Sequence, residues 1–160
     1  MTGIKTTVIA EAGVNHNGDM ALAKELVDVA AEAGADLVKF QTFTAATLLT
    51  QSAEKAQYQK NLTAGSESQF GMIKKLELDR DTHELLVDHC KYKKIQFLST
   101  AFDQSSIDFL AELDIPFYKI PSGEITNLPY LRHVARMGKP VVMTTGMATL
   151  AQACAAMKVL

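Results

Sequence analysis

Apolar positions in this chain switch repeatedly between two periods. Residues 6–13, "TTVIAEAG", are a β-branched apolar run ending at glycine, the pattern of a buried strand. Residues 20–34, "MALAKELVDVAAEAG", then place Leu22, Leu26, Val29, Ala30 and Ala33 on one helical face, with Gly34 as a stop. The same couple recurs along the chain. Strands are predicted over 35–43, 95–102, 116–124 (the last ending in a turn) and 139–148. Helices are predicted over 81–94, with Asp81 or Thr82 as cap, and over 103–114, 128–138 and 149–160. The helix at 128–138 has Pro129 near its start and Gly138 at its end, the usual asymmetry. Residues 44–70 are rich in Thr, Ser, Gln and Ala with poor periodicity. They read as a long strand-to-helix loop with room for some helix, a kind of loop that is usually functional.

Five strand–helix units with nearly continuous apolar strands predict a parallel sheet covered by helices. A doubly wound open sheet and part of an eight-fold barrel both fit this spacing. The fingerprint G-x-G-x-x-G is absent after the first strand, which argues against a dinucleotide fold. No Pro/Gly/Ser-rich linker divides the chain, so one domain is expected.

Composition narrows the classes. Of 160 residues, 48% are hydrophobic and 21% charged, as in a globular protein. Sixteen basic and eighteen acidic side chains leave a net charge of −2 without long blocks of one sign. Neither nucleic acid nor a membrane surface is therefore expected as the main partner. The amino-terminal apolar run is too short for a signal peptide, and nothing approaches the roughly 20 apolar residues of a membrane span. Cys90 and Cys154 lie far apart in no metal or disulfide pattern, which points to a reducing, cytoplasmic setting.

The candidate chemistry sits at strand carboxyl ends, where parallel α/β folds build their sites. Glu11, Lys39 and Gln41, Ser99 and Thr100, Lys119, Ser122 and Glu124, then Thr144 and Thr145 occupy these places. Lys39 and Lys119 interrupt apolar strands, where a lysine is costly unless paired or used. Two lysines converging on one mouth suit phosphate or carboxylate. A single desolvated lysine could instead form a Schiff base. Glu11 and Glu124 could act as acid, base or hydroxyl acceptors. Read blandly, the Ser and Thr residues are ordinary strand formers, Gln41 a loop cap and Phe102 a core residue.

His16, within "NHNGD" (15–19), stands where a ligand or metal could lie, although the stretch reads equally well as turn and cap. His83, His89 and His133 fall on helices and are expected at the surface. No two histidines have metal-ligand spacing. Met72, Met137, Met143, Met147 and Met157 read as core fillers.

Five stretches together resemble the sialic acid synthases, a family that includes N-acetylneuraminate, legionaminate and pseudaminate synthases. They are "IAEAGVNHNGD" (9–19), "GADLVKFQTF" (34–43), "FLSTAFD" (97–103), "FYKIPSGEITNLPYL" (117–131) and "GKPVVMTTGMATL" (138–150). "KIPSGE" and "TTGMAT" are the most diagnostic. The resemblance implies a (β/α)₈ barrel followed by a small antifreeze-like domain, with residues 1–160 forming the first five β/α units. It implies condensation of phosphoenolpyruvate with the open-chain aldehyde of an N-acetylated amino sugar, giving a nine-carbon 2-keto acid and phosphate. A divalent metal, Mn²⁺ or Mg²⁺, would polarise the aldehyde.

Position by position, Lys39, Thr100, Lys119, Ser122 and Thr144 match residues that hold phosphoenolpyruvate. Gln41, Phe102 and Glu124 match sugar-side contacts, and Glu11 matches a glutamate near the reacting centre with an acid–base role. Two departures stand out: Ala101 where members commonly carry proline, and Thr144 where serine is common. The family's two metal-binding histidines would lie beyond Leu160, as would an arginine donated by the partner of a homodimer. The stretch alone is thus expected to be inactive. A Schiff-base aldolase on a similar barrel and a non-catalytic ligand-binding half-barrel are the competing readings.

Overall fold

Period-two apolar runs and capped amphipathic segments build alternating layers in the computed structural model, which describes residues 6–48 and 68–160. Among these residues the strands are β1 (Ile9–Gly13), β2 (Leu37–Thr42), β3 (Gln96–Ala101), β4 (Tyr118–Ile120) and β5 (Val141–Met143). The helices are α1 (Met20–Glu32), α2 (Ala45–Leu48), α3 (Gln69–Lys74), α4 (Arg80–Lys93), α5 (Gln104–Glu112), α6 (Leu128–Arg136) and α7 (Leu150–Met157). All strand pairs are parallel. The expected loop at 44–70 lies mostly outside the described residues; its described ends hold α2 and the start of α3.

The sheet departs from a single continuous ladder. Strands pair in the orders β1–β2–β3 and β4–β5, and β4 packs beside β3 without a ladder between them. The last two strands are also shorter than predicted. Pro121, which has no N–H to offer a neighbour, ends β4, and Ser122–Glu124 turn at once into a 3₁₀ helix. After Met143 the chain leaves β5, and Ala148 N–H closes a turn on the Thr145 carbonyl.

Side-chain caps fix where helices begin. The Asp19 carboxylate accepts from the Ala21 and Leu22 N–H groups at 2.7 and 3.2 Å and starts α1. Asp79, rather than Asp81 or Thr82, caps α4, accepting from Thr82 N–H at 2.9 Å. Thr149 and Gln152 form a reciprocal capping box on α7.

The core lies between the strands and the helix layer. Ala23, Val27 and Ala30 of α1 are buried there with Val38 and Phe40 of β2, Leu86 and Cys90 of α4, and Ile107 and Leu110 of α5. Phe40 stacks on Phe97 of β3 with ring centroids 5.9 Å apart. Two tyrosines bridge strands and helices: Tyr118 Oη donates to the Ile107 carbonyl at 3.1 Å, and Tyr130 Oη to that of Ala101 at 2.8 Å. Met147 and Met157, expected in the core, are 80% and 65% exposed. They lie beyond β5, where no described element covers them.

Candidate active site

Because strand side chains alternate between faces, residue parity sorts the polar positions. On β2, Val38, Phe40 and Thr42 point toward the helices, so Lys39 and Gln41 take the opposite face. Register extends that face sideways: Glu11 pairs with Lys39, Lys39 with Leu98, and Gln41 with Thr100. Tyr118 and Ile120 of β4 are buried, with the Tyr118 hydroxyl bonded into α5, so Lys119 shares the face of Lys39. One face of the strands thus carries helices, and the other carries the candidate residues.

At the centre of that face the Glu11 carboxylate forms an ion pair with the Lys39 ammonium. Lys39 is only 8% exposed. Gly13 follows with φ +55°, and a Cβ there would lie 3.2 Å from Glu11 Oε1 and 3.7 Å from Gln41 Nε2. The bare glycine lets these two side chains lie against the end of β1. Lys119 is within electrostatic reach of both members of the ion pair. Burial, then the Lys39 charge, hold its ammonium below the usual lysine range, while Glu11 pulls the other way. The cluster therefore holds two cations against one carboxylate in a partly desolvated setting, which favours an incoming anion.

Thr100 is buried, and its Oγ1 has no hydrogen-bond partner among the described residues. A buried hydroxyl left unpaired costs stability, so this atom supports a binding role more strongly than residue type could. Glu124, on the 3₁₀ turn after β4, accepts from Asn127 Nδ2 at 2.6 Å. Ser122 opens the same turn and is half-buried. Thr144 lies just past β5, exposed, with its hydroxyl donating to the Ile120 carbonyl at 3.3 Å. Phe102 meets Phe43 edge to face at 6.3 Å. Glu11, Lys39, Gln41, Thr100 and Lys119 form one face; Ser122, Phe102, Glu124 and Thr144 flank its carboxyl rim.

Other expectations are corrected. Ser99 belongs to the helix side: Thr42 Oγ1 lies 2.7 Å from its hydroxyl and 2.8 Å from His83 Nε2. His83, expected at the surface, is fully buried, with Phe97 and Phe109 rings edge-on to it. His89 and His133 are tethered to Asp28 and Asp108, each at 2.7 Å. His16 is fully buried beside Phe40, and its Nδ1 accepts from the Gly18 N–H at 3.0 Å. Burial, reinforced by His83, holds it below the ordinary histidine pKa. It stands on the helix side, away from the lysines. Sequence parity, with Thr42 and Ser99 out of step with Lys39 and Thr100, was the available signal for this second network.

The resemblance implies a divalent metal, which needs a converging set of donor side chains. Among the described residues, no group of three His, Cys, Asp or Glu side chains is placed to hold a cation. The residues present do not fit a complete metal site. No described helix is long and apolar enough to cross a membrane. Cys90 and Cys154 are both free, and burial pushes the Cys90 thiol up to about 12.

Comparison with known proteins shows the family. The sequence profile of the NeuB family matches residues 26–160. The chain is 53% identical over 156 residues to the N,N'-diacetyllegionaminic acid synthase of Campylobacter jejuni, covering 98% of this chain and 47% of that protein. The Legionella pneumophila enzyme of the same name is 55% identical over 143 residues, covering 89% and 40%. The crystal structure of an N-acetylneuraminic acid synthetase from Leptospira borgpetersenii, in complex with citrate, superposes with a TM-score of 0.80 at 29% identity. That match covers 99% of this chain and 53% of the other. The chain thus spans about half the length of these relatives.

Proposed function

The chain belongs to the NeuB family, and on that premise we propose that it forms the phosphoenolpyruvate-holding part of a synthase barrel. The reaction is condensation of phosphoenolpyruvate with an N-acetylated amino sugar aldehyde, N-acetylmannosamine or a 2,4-diacetamido-trideoxy hexose. The two relatives above half identity favour the second acceptor class. In this reading residues 1–160 are the first five units of a (β/α)₈ barrel. The remaining barrel units, the metal ligands and a small antifreeze-like domain come from elsewhere in the protein, which works as a cytoplasmic homodimer.

The observation that carries the reading is the Glu11–Lys39–Lys119 cluster beside the unpaired Thr100 hydroxyl. Lys39 and Lys119 neutralise the carboxylate and phosphate of phosphoenolpyruvate. Thr100, with Ser122 and Thr144 at the rim, donates hydroxyl hydrogen bonds. Gln41, Phe102 and Glu124 face the sugar. The C3–C1 bond forms as the enol carbon attacks the aldehyde, whose oxygen takes a proton. Water then adds at C2 and gives up a proton. The C2–O bond to phosphate breaks as the remaining C2 hydroxyl proton passes to the departing phosphate, leaving the 2-keto acid. Glu11, beside the reacting carbons, serves as the acid–base group.

Calorimetric titration with phosphoenolpyruvate tests this. Wild type binds and Lys39→Met binds much more weakly; equal binding by both would overturn the reading. Phosphate release with amino sugar and Mn²⁺ is expected from the full-length protein and not from residues 1–160 alone. The lowered pKa of Lys119 favours one second reading, a Schiff-base aldolase. Borohydride trapping of a carbonyl substrate on Lys119 would decide for it.

A further inference from the structure

Behind the strand-end face lies a buried polar chain whose hydrogens have one consistent arrangement. The Asp79 carbonyl can only accept, so His83 Nδ1, 2.8 Å away, carries the proton. Burial holds His83 below the ordinary histidine range, against the opposing pull of the Asp79 carbonyl and carboxylate. The ring is therefore neutral and its Nε2 bare. Thr42 must donate its hydroxyl proton to that nitrogen at 2.8 Å, and Ser99 must donate to Thr42 at 2.7 Å. The groups around the ring are Asp79 at the start of α4, His16 before α1, Phe97 on β3 and Phe109 on α5. The nearest charge among these is the Asp79 carboxylate.

Thr42 and Ser99 are chain neighbours of Gln41 and Thr100, which face each other in the β2–β3 register on the opposite side. We propose that His83 is a positioning residue: through Thr42 and Ser99 it locks the carboxyl ends of β2 and β3 together and so fixes where Gln41 and Thr100 stand. The inference rests on the proposed function for what those two residues bind. A displacement at this distance from the chemistry is enough to weaken a ligand, because the contacts at the site depend on sub-ångström placement.

The test combines nitrogen-15 NMR with phosphoenolpyruvate titration of the same chain. His83 should show the neutral tautomer with the proton on Nδ1. His83→Phe, which fills the space without an acceptor, should move the Gln41 and Thr100 amide signals and weaken phosphoenolpyruvate about tenfold. His83→Gln, which can present an oxygen to Thr42, should recover to within about twofold at a similar loss of melting temperature. Ser99→Ala, which keeps the His83–Thr42 bond, gives a milder version should the phenylalanine variant not fold. A ring protonated at Nε2, or a glutamine variant no better than phenylalanine, would overturn the relay. Wild type that ignores phosphoenolpyruvate would overturn the proposed function instead, and the tautomer and amide signals would still decide the relay.

Discussion

Glu11 and Lys39 are register partners, and their ion pair joins the first two strands on the face that bears no helices. Lys39 is nearly buried while the Glu11 side chain is 54% exposed, so the lysine depends on its partner more than the reverse. Exposed pairs are weak, and the greater consequence of losing Lys39 is for an anionic ligand. Lys39→Met should weaken phosphoenolpyruvate about 30-fold or more, as expected when one partner of a desolvated charge contact is removed. Glu11→Gln should retain binding and lose turnover in the full-length protein. Calorimetry and phosphate release separate the two effects.

Lys119 yields a pH-dependent prediction. Its folded pKa lies below the ordinary lysine value of 10.5, chiefly through burial and then the Lys39 charge. Between the folded value and 10.5 the unfolded chain binds more protons, so stability contributed by this residue rises with pH across that window. Below it, the fold holds a disfavoured cation. Lys119→Met should therefore melt higher than wild type at pH 7, with the gap narrowing as pH rises toward 10.5, while phosphoenolpyruvate binding falls. Thermal melts across pH check the first point and titration the second. A gap independent of pH would show that Lys119 is not strained.

Gly18 and Gly34 share a left-handed backbone, φ +79° and +78°, yet differ in surroundings. A Cβ on Gly18 would lie 2.3 Å from the Lys75 carbonyl oxygen at the end of α3, whereas Gly34 has nothing within 4 Å. Gly34→Ala should cost about 1 kcal/mol of backbone strain. Gly18→Ala should cost about 2–4 kcal/mol or push α3 away from the β1–α1 turn. Urea unfolding of both variants measures the difference.

The alternation of strands and helices was readable because each element has its own period and stop signal. Lys39 and Lys119 stood out because burying a cation in an apolar strand calls for a reason. What one-dimensional reading missed was the side on which a residue falls. His83 sits on an amphipathic helix whose polar residues suggested the surface, yet Thr42 and Ser99 draw it into the core. Ser99 and Thr100 are adjacent hydroxyl residues, and strand parity is what separates the structural one from the candidate ligand. The length of β5 was overestimated because "VVMTT" (141–145) is rich in β-branched residues, while pairing with β4 ends at Met143.

Thr100 separates a binding residue from a structural one by opposite signs. Its hydroxyl is buried without a partner among the described residues, so it costs the ligand-free fold part of the unpaired penalty of about 1–3 kcal/mol. Valine has nearly the same shape without that atom. Thr100→Val should therefore raise the melting temperature by about 2–4 °C, while weakening phosphoenolpyruvate about tenfold or more through loss of a hydrogen bond to a charged group. Thr100→Ser keeps the hydroxyl and should bind nearly as wild type, losing about 1 kcal/mol of stability with the deleted methyl. A structural hydroxyl would give the reverse order, valine destabilising and serine neutral. Melting curves and titrations on the three proteins distinguish the cases, and a valine variant that binds normally would remove Thr100 from the site.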